Sequence, residues 1–166
     1  MNELASQGIT DYDLWDGIYL PHSIKESINR AHKQIVYYAK LAGRNEIAIA
    51  EDDIKFTHPK SWEYFLKNKP QDFDIYLSMI YSGDIDERNC VKKFSGMTLY
   101  IVNSRFYDKF LSTPNEDHID RMLSEVDGKY VVCNPFVAVQ YNGVSGNTGK
   151  YEEYESLLQG RDIFGG

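Results

Sequence analysis

The sequence predicts an α/β fold with a largely parallel or mixed sheet. Segments with the hydrophobic period of a helix alternate along the chain with short apolar segments typical of buried strands. The chain has 166 residues, of which 42% are hydrophobic, and this length suits one domain around one core. We therefore expect a single domain over residues 1–166, with an irregular lead-in at 1–21 and a tail at 147–166.

The first long helix is predicted between Ser23 and Gly43. Ser23 followed by Glu26 has the spacing of a capping box, and Gly43 can adopt the left-handed conformation that ends a helix. Apolar residues recur between them at spacings of three or four. This predicted buried stripe consists of Ile24, Ile28, Ala31, Ile35, Ala39 and Ala42.

The remaining elements follow from changes of hydrophobic period and from turn residues. Buried strands are predicted at 46–50, 74–78, 97–102, 130–133 and 136–140. Helices are predicted at 57–68, 104–111, 115–128 and 151–158, with a loop at 83–89. The lead-in lacks a clear strand, but its aromatic and aliphatic side chains predict that it packs on the domain.

Three consecutive acids follow the first predicted strand: Glu51, Asp52 and Asp53. In α/β sheets, ligands bind beyond the carboxyl ends of the strands, which is where this triplet lies. Alternate residues of a strand share a side, so Glu51 and Asp53 are expected together and Asp52 opposite. Paired carboxylates suit a hard divalent cation, Mg²⁺ or Mn²⁺, with positions left for water and a diphosphate. The alternative is a solvated acidic turn, or acids placed near the start of the next helix.

Composition excludes several classes of function. Eighteen basic against 25 acidic residues give a formal net charge of −7, which argues against general nucleic-acid binding. No apolar segment approaches the roughly 20 residues that span a bilayer, and the first residues lack the features of a signal peptide. Cys90 and Cys133 lack the number and spacing of a disulfide framework or zinc site. A cytoplasmic protein is expected.

Several short motifs occur in a recognisable order. They are the helix with Ala31-His32, IAIAEDDIKF, DIYL, FSGMTLYIVNSRFYDKFL, HIDRML and PFVAVQYNGVS. Together they cover residues 22–146, and in this order the chain resembles glycosyltransferase family 25, the lipopolysaccharide-type galactosyltransferases. Two features depart from the family. Residues 1–21 offer no counterpart of its N-terminal nucleotide-binding βα unit, and Ala31 replaces the serine before the histidine.

The resemblance implies a GT-A-like mixed sheet flanked by helices. It further implies that a hexose is transferred, with inversion, from a nucleotide sugar such as a UDP-sugar to a glycan acceptor in lipopolysaccharide biosynthesis. By the same resemblance, Asp53 is a direct ligand of Mn²⁺ or Mg²⁺, and Glu51 or Asp52 holds the metal or the donor ribose.

The resemblance also assigns residues outside the triplet. Asp120 is the implied catalytic base, with Asp117 as the neighbouring candidate. Gln140 and Ser145 contact the diphosphate or fix the tail loop. His32 matches the histidine of the family's helix, although a hydrogen-bonded core histidine is the simpler interpretation.

Two other functions remain open. The missing βα unit is compatible with a non-catalytic module that binds carbohydrate or nucleotide sugar on the same scaffold. A metal-dependent phosphoryl-transfer enzyme could use the same acids, but the sequence has no G-x-x-x-x-G-K phosphate loop.

Overall fold

The computed structural model describes residues 3–145 and 149–166, so the first two residues of the predicted lead-in and residues 147–148 of the predicted tail lie outside the described residues. The strands are β1 (Glu46–Ala50), β2 (Ile54–Phe56), β3 (Ile75–Leu77), β4 (Ser82–Ile85), β5 (Val91–Ser95), β6 (Leu99–Asn103), β7 (Tyr130–Val132), β8 (Ala138–Gln140), β9 (Gly143–Val144) and β10 (Tyr151–Glu152). The α-helices are α1 (Glu3–Ser6), α2 (Ile24–Leu41), α3 (Ser61–Lys67), α4 (Tyr107–Ser112) and α5 (Ile119–Ser124), and Ser104–Phe106 and Tyr154–Leu158 are 3₁₀ helices.

Four strands form a mixed central sheet in the order β1-β6-β3-β7. Strand β3 pairs with β7 in parallel, whereas β6 is antiparallel to both of its neighbours. Strands β1, β3 and β7 therefore run in one direction, and their carboxyl ends meet at one edge of the sheet. The expectation of an α/β fold with a mixed sheet is confirmed.

The two faces of the sheet carry two apolar clusters because successive strand residues point to opposite sides. On one face, Tyr100 and Val102 of β6 pack with Val36 of α2 and Phe110 of α4. On the other face, Tyr76 of β3 stacks on Phe65 of α3, with ring centroids 4.4 Å apart, within the second cluster. Helices α2, α3 and α4 are thus held by the burial of apolar side chains against the sheet.

Helix α2 confirms the predicted helix but not its predicted stripe. The Ser23 hydroxyl accepts a hydrogen bond from the Glu26 amide, and Gly43 has φ +64°. The buried side chains, however, are Ser27, Asn29, His32, Val36 and Ala39, whereas Ile24 is 48% exposed. The buried face is rotated because Nδ2 of Asn29 and Nδ1 of His32 find hydrogen-bond partners inside the protein, which offsets part of the cost of burying these polar side chains.

Strand β1 has the predicted bounds but is not a buried strand. It lies at the edge of the sheet and has one neighbour, β6, and its residues are mostly half-buried or exposed. The predicted loop at 83–89 is also wrong in part, since β4 and β5 form a hairpin there. The Asp86 carboxylate accepts hydrogen bonds from the amides of Arg88 and Cys90 and closes the turn. The sequence of β4 is mostly polar and lacks the apolar alternation that predicts a strand.

Three further expectations are corrected. The helix expected from residue 115 begins at Ile119, and the expected 151–158 helix is divided into β10 and a 3₁₀ helix. In the lead-in, Leu14 is 88% and Tyr19 81% exposed, so these two side chains do not pack as predicted, whereas the Trp15 ring does pack on Tyr38 of α2, with centroids 5.1 Å apart. Helix α1 also anchors this region, because the Glu3 carboxylate accepts a hydrogen bond from the Phe56 amide.

Among the helices of the described residues, none is both long enough and apolar enough to cross a bilayer.

Candidate active site

The acidic triplet forms the turn between β1 and β2 at the carboxyl edge of the sheet. The Glu51 amide continues the β1–β6 ladder by donating to the Thr98 carbonyl over 2.9 Å. The Ile54 amide then donates to the Glu51 carbonyl over 3.3 Å and closes the turn. Strand β2 begins at Ile54 and pairs with β8, where Ile54 lies opposite Gln140. This pairing brings the end of β8 to the acids.

A single amide group joins two of the three acids. Nε2 of Gln140 donates to Oε2 of Glu51 over 3.1 Å and to Oδ2 of Asp53 over 3.0 Å. Asp52 is exposed. We call Glu51 and Asp53 the acid pair, because they face one donor while the acid between them faces solvent.

The acid pair is destabilised in its doubly ionised form. Burial, followed by the charges of Asp53, Asp120 and Asp52, raises the pKa of Glu51 to about 8. Burial also raises the pKa of Asp53, although its hydrogen bond from Gln140 opposes this shift. Neighbouring carboxylates with little water between them favour either a bound proton or a bound cation.

A histidine lies behind Glu51. Nδ1 of His32 lies 2.5 Å from the Tyr100 hydroxyl, and its Nε2 lies 3.8 Å from Oε1 of Glu51. Burial lowers the pKa of His32 to about 4, so its ring is neutral at pH 7. His32 therefore adds a dipole, not a positive charge, beside the acid pair.

The two candidate bases are in different environments. Asp120 accepts hydrogen bonds from the amides of Gly96, over 2.6 Å, and Arg121, over 2.8 Å, and its charge acts on Glu51. Asp117 forms an ion pair with Lys25 at 2.9 Å. Its hydrogen bond from Lys25, with a second from the His118 amide, lowers its pKa to about 2. Asp120 thus belongs to the electrostatic environment of the acid pair, whereas Asp117 faces α2.

Ser145 lies after β9, in a different local structure. Its side chain is buried, its amide donates to the Lys150 carbonyl over 2.9 Å, and its carbonyl accepts from the Gly149 amide. These bonds join Ser145 to the residues just before β10.

Sequence reasoning missed two residues of this site. The Tyr81 hydroxyl donates to Oε1 of Gln140 over 2.9 Å. Thr98 is fully buried beside the Glu51 carboxyl. Tyr81 belongs to none of the quoted motifs, and Thr98 lies in one of them but was not singled out. Only the pairing of β1 with β6 and of β2 with β8 brings them to the acids.

The donor set fits a hard cation in part. Within residues 3–145 and 149–166, no cluster of three or more His, Cys, Asp or Glu side chains is arranged so that it could hold a metal ion. The acid pair supplies carboxylate oxygens, the ligand type that Mg²⁺ and Mn²⁺ prefer. Oδ1 of Asp53 is buried and accepts no hydrogen bond from any described residue. Two protein ligands, with water and phosphate oxygens completing the shell, are usual for Mg²⁺.

These features define a mixed α/β domain with a half-buried acid pair at the carboxyl edge of its sheet. No family model matches the chain, and no curated protein matches it. Among solved structures, the chain is similar to HddC from Yersinia pseudotuberculosis, with 14% sequence identity and a TM-score of 0.48. The match covers 63% of this chain and 52% of HddC, so it spans about half the length of that protein. Agreement at this level establishes neither a family nor an activity for this chain.

Proposed function

We propose that this protein is a metal-dependent glycosyltransferase that moves a sugar from a nucleotide-sugar donor to a hydroxyl of a glycan acceptor, with inversion. One observation carries the proposal: Glu51 and Asp53 lie on one side of a turn at the carboxyl edge of the sheet and share the Gln140 amide. The ordered motifs that resemble glycosyltransferase family 25, through which a UDP-sugar and a lipopolysaccharide-type acceptor are inferred, support the same reaction.

The acid pair would hold Mn²⁺ or Mg²⁺ together with the donor diphosphate. Asp53 is the direct ligand in this proposal, because its Oδ1 is buried and unbonded among the described residues. Glu51 is the second ligand, and a cation there would offset the burial and like charge that raise its pKa. A bound cation would neutralise the negative charge that develops on the departing diphosphate.

Asp120 would accept the proton of the attacking hydroxyl. In an inverting transfer the acceptor oxygen bonds to the anomeric carbon as the bond to the phosphate oxygen breaks, and the bonding electrons leave with the diphosphate. The amides of Gly96 and Arg121 each donate to one oxygen of Asp120 and hold its carboxylate in place. Each carboxylate oxygen keeps lone-pair capacity beyond its one amide bond, so a substrate hydroxyl can still donate to it.

One observation favours a second candidate, a non-catalytic module that binds nucleotide sugars. Both oxygens of Asp120 serve structural bonds, one to the Gly96 amide and one to the Arg121 amide at the start of α5. A binding module needs no base, and in such a module Asp120 would only join α5 to the segment before β6.

A donor panel tests the proposal. The chain, with and without Mn²⁺, is incubated with UDP-sugars and other nucleotide sugars, and release of the nucleoside diphosphate is measured with and without glycan acceptors. We expect Mn²⁺-dependent turnover that Asp53→Asn lowers at least about 100-fold, with an unchanged circular dichroism spectrum. The control is Asp84→Asn, an exposed acid of β4, which should behave as wild type.

Two results would contradict the transferase. Donor binding with Mn²⁺, but without turnover on any donor or acceptor, would identify the binding module. Tight donor binding that needs no cation and is unaffected by Asp53→Asn would remove the role of the acid pair altogether.

A further inference from the structure

Tyr81 lies outside the acid pair but is hydrogen bonded to the group that joins it. We propose that Tyr81 is a positioning residue, which acts through Gln140 to leave one oxygen of each carboxylate of the acid pair free to bind a divalent cation. This inference rests on the cation site of the proposed function, and it concerns a residue that no sequence motif marks.

The surroundings of the Gln140 side chain fix the orientation of its amide. Its Nε2 must face Glu51 and Asp53, since the reversed amide would place a carbonyl oxygen against two carboxylates. The Tyr81 hydroxyl reinforces this orientation by donating to Oε1 over 2.9 Å. Burial raises the pKa of Tyr81, so its hydroxyl remains a donor across the ordinary pH range.

The carboxylates are held by one oxygen each. Gln140 bonds to Oε2 of Glu51 and to Oδ2 of Asp53. This leaves Oε1 of Glu51, which lies 3.8 Å from the His32 ring, and Oδ1 of Asp53, which is buried without a hydrogen bond from the described residues. A group that bonds to one oxygen of a ligand fixes the direction in which the other oxygen points, and so tunes the affinity for a metal.

Tyr81 is itself firmly placed. Its amide donates to the Ser95 carbonyl over 2.6 Å, and its ring stacks on Tyr154 with centroids 5.7 Å apart. A Cβ on Gly96, which has φ +99°, would lie 2.8 Å from Cδ2 of Tyr81. The Gly96 amide also donates to Asp120, so the segment 95–96 fixes both Tyr81 and the proposed base.

Isothermal titration of the full chain with MnCl₂ tests the inference, with Tyr81→Phe compared with wild type. We expect Tyr81→Phe to weaken Mn²⁺ binding about 10-fold or more, the usual effect of removing a group that orients a metal ligand. The matched control is Tyr130→Phe, which loses hydroxyl bonds to the carbonyls of Leu123 and Val126. This control should lose stability but bind Mn²⁺ like the wild type.

A double variant separates positioning from a general loss of structure. If Tyr81 acts through Gln140, then Tyr81→Phe combined with Gln140→Ala should bind Mn²⁺ no more weakly than Gln140→Ala alone. If Tyr81→Phe does not fold, Gln140→Ala removes the same bridge and should show the same 10-fold loss relative to Tyr130→Phe.

The inference is overturned if Tyr81→Phe binds Mn²⁺ within about twofold of wild type, if the two substitutions weaken binding additively, or if the wild type does not bind Mn²⁺. It stands, and the proposed transferase fails, if Tyr81→Phe weakens Mn²⁺ binding as expected while the wild type transfers no sugar from any donor.

Discussion

The burial of Glu51 makes the stability of the metal-free protein depend on pH in an unusual direction. Its pKa is raised from 4.5 to about 8, whereas an unfolded chain would keep the ordinary value. Between these pH values the folded protein retains a proton that the unfolded chain releases. The free energy of unfolding therefore falls as pH rises from 4.5 to 8 and levels off above 8.

The full shift corresponds to about 5 kcal/mol in the free energy of unfolding. The Glu51 side chain keeps 27% of its surface exposed, so solvent screens part of this penalty and we expect about 2–3 kcal/mol. Glu51→Gln removes the ionisable group but keeps its size. It should therefore stabilise the metal-free protein by that amount at pH 9 and change its stability little at pH 4.5.

Urea unfolding in EDTA at pH 4.5, 7 and 9 measures the effect for wild type and for Glu51→Gln. The control is Glu87→Gln, an exposed acid in the turn after β4, which should follow the wild type at every pH. The reasoning is refuted if Glu51→Gln gains no stability over wild type between pH 4.5 and pH 9.

Three further substitutions test the framework around the site, each by urea unfolding. Ser23→Ala removes the oxygen that caps α2 and should cost about 1 kcal/mol; no loss would mean that the cap is not formed. Asn29→Ala removes the buried amide that donates to the Asp117 carbonyl over 2.8 Å, and we expect a loss of about 1–3 kcal/mol, which a neutral result would contradict. Gly96→Ala places a Cβ 2.8 Å from Tyr81 at φ +99°. We expect a loss of at least about 1–3 kcal/mol, and wild-type stability would show that the segment adjusts freely.

The parts of the site that follow from the sequence are those set by neighbours along the chain. The end of β1 at Ala50 and the start of α2 after Ser23 follow from local hydrophobic period and capping. Glu51 and Asp53 face one group while Asp52 faces solvent, as the alternation of side chains suggests. Local rules suffice here because each feature depends on residues fewer than five positions apart.

The parts that do not follow depend on which strands pair. Gln140 reaches Glu51 across 89 residues and Tyr81 across 59, and no periodicity encodes either distance. The buried face of α2 has the same origin. Asn29 turns inward because the Asp117 carbonyl accepts its hydrogen bond, and His32 turns inward because it is hydrogen bonded to the Tyr100 hydroxyl. Both partners are far along the chain.

The sequence by itself determined that helices and strands alternate in this chain, where the long helix begins, and that three acids follow the first strand. Tertiary structure alone decided that β1 is an edge strand, that β4 and β5 form a hairpin, and that one amide joins Glu51 to Asp53. The physical reason is that hydrophobic period and helix capping depend on residues close together in the sequence. Burial, strand partners and the pKa of a carboxyl depend instead on groups that only folding brings together.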